Sequence, residues 1–208
     1  NIKINYLNLM KTIPEIVNFF NDDKVFITTE DHSVFTFADV KKQLDETKDF
    51  FRKNHIQKTD TIAIVCENGP VMAASFLATA SNCCAAPLNP SYTSSEFDFY
   101  LEDLNPKALI VKEGSNSPVI EVAKKREIKI FNLLVNNNEP SGKFSLTSKE
   151  EKISSSVNQN ENIIPEDIAL ILHTSGTTSK PKMVPLTHLN LCTSAKNIVQ
   201  TLNLNRSD

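Results

Sequence analysis

The sequence predicts an α/β fold, a doubly wound and largely parallel sheet, and three observations carry that expectation. Short apolar runs rich in β-branched residues alternate with stretches of helical periodicity from Val25 to Phe131, the order that buries a parallel sheet between helices. Two of the helical stretches open on capping-box spacing, Thr36 with Asp39 and Thr93 with Glu96. At 208 residues, the chain suits one domain or one and a half and can bury a proper core.

Taken in order, Val25 to Thr29 reads as a strand. Thr36 then opens a helix whose Phe37, Val40, Leu44 and Phe51 share one face, while Lys41, Lys42, Lys48 and Lys53 project elsewhere. Thr61 to Cys66 is an apolar run of strand type, followed by a helix from about Pro70 to Asn82 and a strand from Cys84 to Leu88. The helix begun at Thr93 must end before Pro106, because proline disfavours helical geometry in the residue ahead of it. Ala108 to Val111 is a strand, Val119 to Arg126 a helix, and Ile128 to Phe131 a strand.

The pattern then dissolves. From Asn136 to Asn162 the chain is mostly Asn, Ser, Lys and Glu, too polar to offset its ordering entropy by burial. The expected organisation is therefore αβ units over 1–135, a flexible surface connection with at most short structure over 136–164, and a strand, loop and helix over 165–208. In the last part, Ile168 to Leu172 reads as a buried strand, and Leu189 to Leu202 as a helix with Leu191, Ala195, Ile198 and Leu202 inward.

Composition excludes some functions. A net charge of −3 without a basic stripe argues against nucleic acid as the main partner. Cys66, Cys83, Cys84 and Cys192 lie in apolar stretches without metal-ligand spacing, as reduced core thiols of an intracellular protein would. The longest apolar region, Val71 to Leu88, is interrupted by Ser75, Thr79, Ser81 and Asn82 and is no membrane span.

The most informative segment is Leu172 to Lys182. Thr174, Ser175, Thr177, Thr178 and Ser179 surround Gly176, and Lys180 and Lys182 bracket Pro181. Backbone N–H groups, rotatable hydroxyls and fixed positive charge together suit the oxygens of a polyphosphate; a plain Ser/Thr-rich turn is the competing reading. The Gly-x4-Gly-Lys-Ser/Thr loop that opens a helix is absent. Pro181 and the run from Met183 to Leu186 instead return the chain into a strand, so a hairpin would face the phosphates. Lys180 is either a second phosphate charge or a solvated lysine. His173 either orients a loop hydroxyl or is a satisfied core histidine, and the latter is preferred; His188 suits capping or packing. Neither has a metal-ligand partner at sensible spacing.

The string Thr174 to Lys182, continued by Val184-Pro185-Leu186-Thr187-His188, resembles the phosphate-binding motif of the adenylate-forming enzymes, which include acyl-CoA synthetases, luciferases and peptide-synthetase adenylation domains. Ala85 to Thr93 and Glu96 to Leu101 resemble the region upstream of that motif in CoA ligases related to 4-coumarate–CoA ligase. The oxalate–CoA ligase, or peroxisomal-CoA-synthetase-like, branch is similar over His173 to Ser179 and Val184 to Leu191. Two positions depart from most of the superfamily, where glycine stands in place of Ser179 and of Met183. Methionine cannot adopt φ > 0 cheaply, so a stiffer loop is expected.

The resemblance implies the N-terminal portion of the large domain of an acid–CoA ligase that uses ATP, Mg2+ and CoA. Thr174, Ser175, Thr177, Thr178 and Ser179 would donate hydrogen bonds to the β- and γ-phosphates, Gly176 would admit close backbone approach, and Lys182 would supply charge. It further implies that the acyl and adenine pockets, the magnesium carboxylate and a catalytic lysine lie beyond Asp208. The 208-residue chain is thus expected to be inactive alone, with no catalytic residue of its own. Oxalate is the acid the resemblance suggests. A ligase for medium-chain or aromatic acids, and a nucleotide-binding protein without turnover, remain alternatives. The compartment is either cytoplasm or peroxisome.

Overall fold

The computed structural model describes residues 9–30, 33–136, 138–149, 162–174 and 181–204. Among the described residues helix α1 (Ile13–Phe19) comes first, a short element outside the sequence expectation. Its start signal is nonetheless present: Thr12 caps the Glu15 amide, Glu15 reaches back to the Thr12 amide at 2.9 Å, and Pro14 stands in the first turn. Backbone hydrogen bonding, from Lys11 foremost, holds the Glu15 carboxyl below its ordinary range. Strands β1 (Val25–Thr28) and β2 (Val34–Thr36) form a separate antiparallel pair.

The helix predicted at Thr36 is α2 (Phe37–Lys53), with the expected reciprocal Thr36–Asp39 cap. After it the chain alternates through β3 (Thr61–Val65), α3 (Pro70–Ala80), β4 (Cys84–Pro87), α4 (Ser94–Leu104), β5 (Ala108–Lys112), α5 (Val119–Lys125) and β6 (Lys129–Leu134). Each matches its predicted element to within about three residues. Asn105 ends α4 in the left-handed conformation, directly ahead of Pro106.

A seven-stranded sheet runs in the order β7-β6-β5-β3-β4-β8-β9, where β7 is Ser145–Ser148, β8 Ile168–Thr174 and β9 Lys182–Thr187. The five central strands are parallel, and the outer pairs β6–β7 and β8–β9 are antiparallel. Helix α6 (His188–Thr201) follows β9 directly.

Alternation along the strands divides the core in two, as a sheet wound on both faces requires. Ile62, Ile64, Ala108, Ile110, Phe131 and Leu133 point to the side of α1, α2 and α3, and meet Val17, Val40, Leu44, Phe51, Ala74 and Ala78. Ala63, Val65, Leu109 and Val111 point the other way, onto Phe97, Leu101 and Leu104 of α4 and Val119, Val122 and Ala123 of α5.

The structure adds detail to one expectation and changes another. Among the described residues of 136–164 there is one short element, β7, and the part ahead of it is tied to the core. Phe144 is buried and its amide donates to Gln43 Oε1, while the Ser141 amide donates to Ser33 Oγ. Gly142 takes φ +111, and a Cβ there would stand 3.3 Å from the Phe35 ring, so close approach and backbone geometry both demand glycine. The inward face of α6 is also rotated from prediction: His188 and Cys192 are buried, whereas Ile198 and Leu202 are 52% and 63% exposed and Ala195 is exposed too. The stripe is set by what β8 and β9 can cover, and these reach only the first turns. Among the described residues, no helix is long and apolar enough to cross a membrane.

Candidate phosphate-binding site

Strands β8 and β9 form an antiparallel hairpin whose register pairs Thr174 with Lys182, His173 with Met183, and Leu172 with Val184. The hairpin geometry predicted from Pro181 and the Met183–Leu186 run is therefore present, and Met183 sits in extended strand. Pro185 is tolerated because β9 is an outer strand of the sheet among the described residues. Thr174 ends β8 at the carboxyl ends of the parallel strands, where open α/β sheets take their ligands.

Of the predicted residues, the structure brings Thr174 and Lys182 opposite one another at the hairpin mouth, with Pro181 next to Lys182. Both paired residues are exposed. Ser175, Gly176, Thr177, Thr178, Ser179 and Lys180 lie outside the described residues. The mouth thus offers a hydroxyl and an ammonium group, a donor set that fits phosphate oxygens.

The same donor set does not by itself fit Mg2+, which takes oxygen ligands, commonly carboxylates. The carboxylate of Asp103, near β8, is taken by His173 at 2.9 Å. Among the described residues no group of three or more His, Cys, Asp or Glu could hold a metal ion.

The base of the hairpin is anchored on both sides. At the start of β8, Asp167 accepts from the Ile164 amide and from Lys58 Nζ at 3.3 Å, and its carbonyl accepts from the His188 amide. At the end of β9, Thr187 and Asn190 cap α6 reciprocally. His188 is fully buried, and its Nδ1 accepts the Ile13 amide of α1 at 3.2 Å. It packs and latches, as its position suggested.

His188 gives a pH prediction with a definite sign. Burial, opposed by the charges of Asp167 and Glu15, lowers its pKa. Accepting at Nδ1 requires the neutral ring with its proton on Nε2, which has no partner among the described residues. The unfolded chain protonates near pH 6.5 and the folded chain only below that. The stability from this residue is therefore complete above about pH 6.5 and is lost as pH falls through the depressed folded value. Urea midpoints of the full-length protein between pH 8 and pH 5 should fall more for wild type than for His188→Asn, whose amide oxygen keeps the Ile13 contact without titrating. Equal pH slopes would refute this account.

His173 is a satisfied, nearly buried histidine, the reading preferred from sequence. Its side chain is 5% exposed, Nε2 meets Asp103 Oδ2 at 2.9 Å, and its ring stands edge-on to Tyr100 with centroids 4.7 Å apart. Asp103, Tyr100 and Tyr92 are the residues that the sequence reading missed. Asp103 lies 70 positions before His173, and no local spacing announces such a contact.

Comparison with known proteins agrees with this architecture. The chain is 38% identical over 154 residues to the oxalate–CoA ligase of Arabidopsis thaliana, covering 74% of this chain and 30% of that enzyme. It is 32% identical over 214 residues to the oxalate–CoA ligase of Saccharomyces cerevisiae, covering 90% of this chain and 39% of that enzyme. The chain thus spans between 30% and 39% of the length of these curated relatives. In fold it is similar to apo MatB from Rhodopseudomonas palustris, with a TM-score of 0.74 at 23% identity over 94% of this chain and 38% of that one. The family model described as AMP-binding enzyme matches residues 15–208, and on that match the chain belongs to the AMP-binding, adenylate-forming enzymes.

Proposed function

We propose that this chain is the N-terminal part of an ATP-dependent acid–CoA ligase, and that the acid is oxalate. The observation that carries the reading is the pairing of Thr174 with Lys182 at the carboxyl end of the parallel sheet, where the hydroxyl-rich segment 175–180 joins them. Similarity to two oxalate–CoA ligases supports the choice of acid.

In the proposed reaction a carboxylate oxygen attacks the α-phosphorus of ATP. A new P–O bond forms, the bond to the β-phosphate breaks, and pyrophosphate leaves with the electron pair. The thiol of CoA then attacks the acyl carbonyl, loses its proton, and expels AMP. The contribution of this chain is to hold the β- and γ-phosphates. In this reading the hydroxyls of Thr174, Ser175, Thr177, Thr178 and Ser179 serve as donors to those phosphates, and the charge of Lys182 acts where negative charge gathers on the departing pyrophosphate. Lys180 is assigned the same anionic environment, and Gly176 the close backbone approach.

Acid-dependent exchange of labelled pyrophosphate into ATP, run on the full-length protein with oxalate, medium-chain and aromatic acids, tests the proposal. Exchange with oxalate at least about 10-fold above the other acids is expected, a discrimination that one pocket can supply. Exchange with another acid instead would overturn the substrate, and exchange with none the ligase.

A further inference from the structure

His173 immediately precedes Thr174, and its side chain lies on the opposite side of β8 from Thr174. It faces α4, as Ile171 does two residues earlier. There it is held in two directions. The Asp103 carboxylate only accepts, so the proton of the hydrogen bond resides on Nε2. The ring is fixed against Tyr100, and Tyr92 stacks on Tyr100 at 4.6 Å and 14°. Burial first, and the hydrogen bond with the Tyr100 hydroxyl second, push the Tyr92 phenol up to about 12.

The location of Asp103 is informative. It stands in the last turn of α4, the end at which the helix dipole disfavours a carboxylate. The helix already has its terminator in Asn105, so Asp103 adds nothing to the cap. Its partner is the imidazole at the end of β8.

We infer that Asp103 and His173 are positioning residues for the phosphate site, an inference that rests on the function proposed above. The hydrogen bond and the ring contact together prevent β8 from turning about its own axis at its last residue. That sets the direction of the Thr174 hydroxyl and its placement opposite Lys182. A displacement of about 1 Å in such a donor can cost ~10²-fold in rate.

The test uses the full-length protein, with kcat and KM for ATP measured by acid-dependent AMP release and Tm measured alongside. Asp103→Leu, which is close in size and cannot accept, should lower kcat/KM for ATP by about 10-fold or more. Asp103→Asn should stay within about 3-fold of wild type, because the amide oxygen still accepts from Nε2–H. His173→Phe keeps the ring against Tyr100 and removes the hydrogen bond; it should repeat the Asp103→Leu loss, and it decides the matter if that variant does not fold. A lowered Tm with unchanged kcat/KM in the folded enzyme would overturn the inference, since a purely structural pair behaves that way. The two readings separate through Lys182→Ala. If that variant is impaired while Asp103→Leu and His173→Phe are not, the positioning role alone fails; if wild type releases no AMP, both fail.

Discussion

Lys182→Ala in the full-length protein is expected to lower acid-dependent AMP formation by about 10²–10³-fold, the size typical for removing one preorganised donor to developing charge. Among the described residues Lys182 is exposed on an outer strand, so its replacement should leave stability within about 0.5 kcal/mol of wild type. Loss of activity with an unchanged Tm would therefore report on phosphate chemistry and not on folding. Most of the loss should fall on kcat, because charge on the pyrophosphate is greater in the transition state than in bound ATP. Lys182→Arg should recover part of the rate, since charge is kept while its geometry changes. Full activity in Lys182→Ala would remove the basis of the proposed function.

Phe131→Ala should have the largest effect on stability, a loss of about 3–5 kcal/mol. Phe131 lies on β6, which is hydrogen-bonded to β5 on one side and β7 on the other. It is fully buried, edge-on to Phe50 at 4.8 Å, and beside Phe51 at 6.1 Å. Deleting the ring removes its burial, its aromatic contacts and the support of α2 against the sheet at once. At about 2–4 °C per kcal/mol, the Tm should fall by roughly 6–20 °C. Thermal and urea unfolding measure this directly, and a loss below about 1 kcal/mol would show that the α2 contact is not central. Phe131→Leu, which refills most of the volume, should cost much less.

Where the chain's own pattern was strong, the structure followed it. The helices opened by Thr36 and Thr93 begin at those caps, and β3, β4 and β5 coincide with apolar runs that no polar face interrupts. Two strands were illegible: β2 has only three residues, and β7, Ser-Leu-Thr-Ser, has a single apolar side chain and so no apolar run to announce it. On α6, Leu191 packs on the core as expected, but Ala195, Ile198 and Leu202, which share its helical stripe, do not, because the sheet covers only the start of the helix. For the site, the return of the chain into a strand after Pro181 was legible, whereas the register that sets Thr174 opposite Lys182 came only with the structure. Asp103 could not be assigned to His173, because that contact exists only once α4 has packed beside β8.

The latch between His188 and the Ile13 amide joins positions 175 residues apart, which places the two ends of the described chain in one contact. Within this chain a ribosome releases α1 before any of β1 to β9, and supplies the histidine that holds it only after them. Until then α1 has its own cap and its packing on α2 but lacks its acceptor, and closing so long a loop is entropically slow. Protease protection of Ile13–Phe19 in nascent chains should therefore arrive late, although the segment is synthesised before every strand of the described residues.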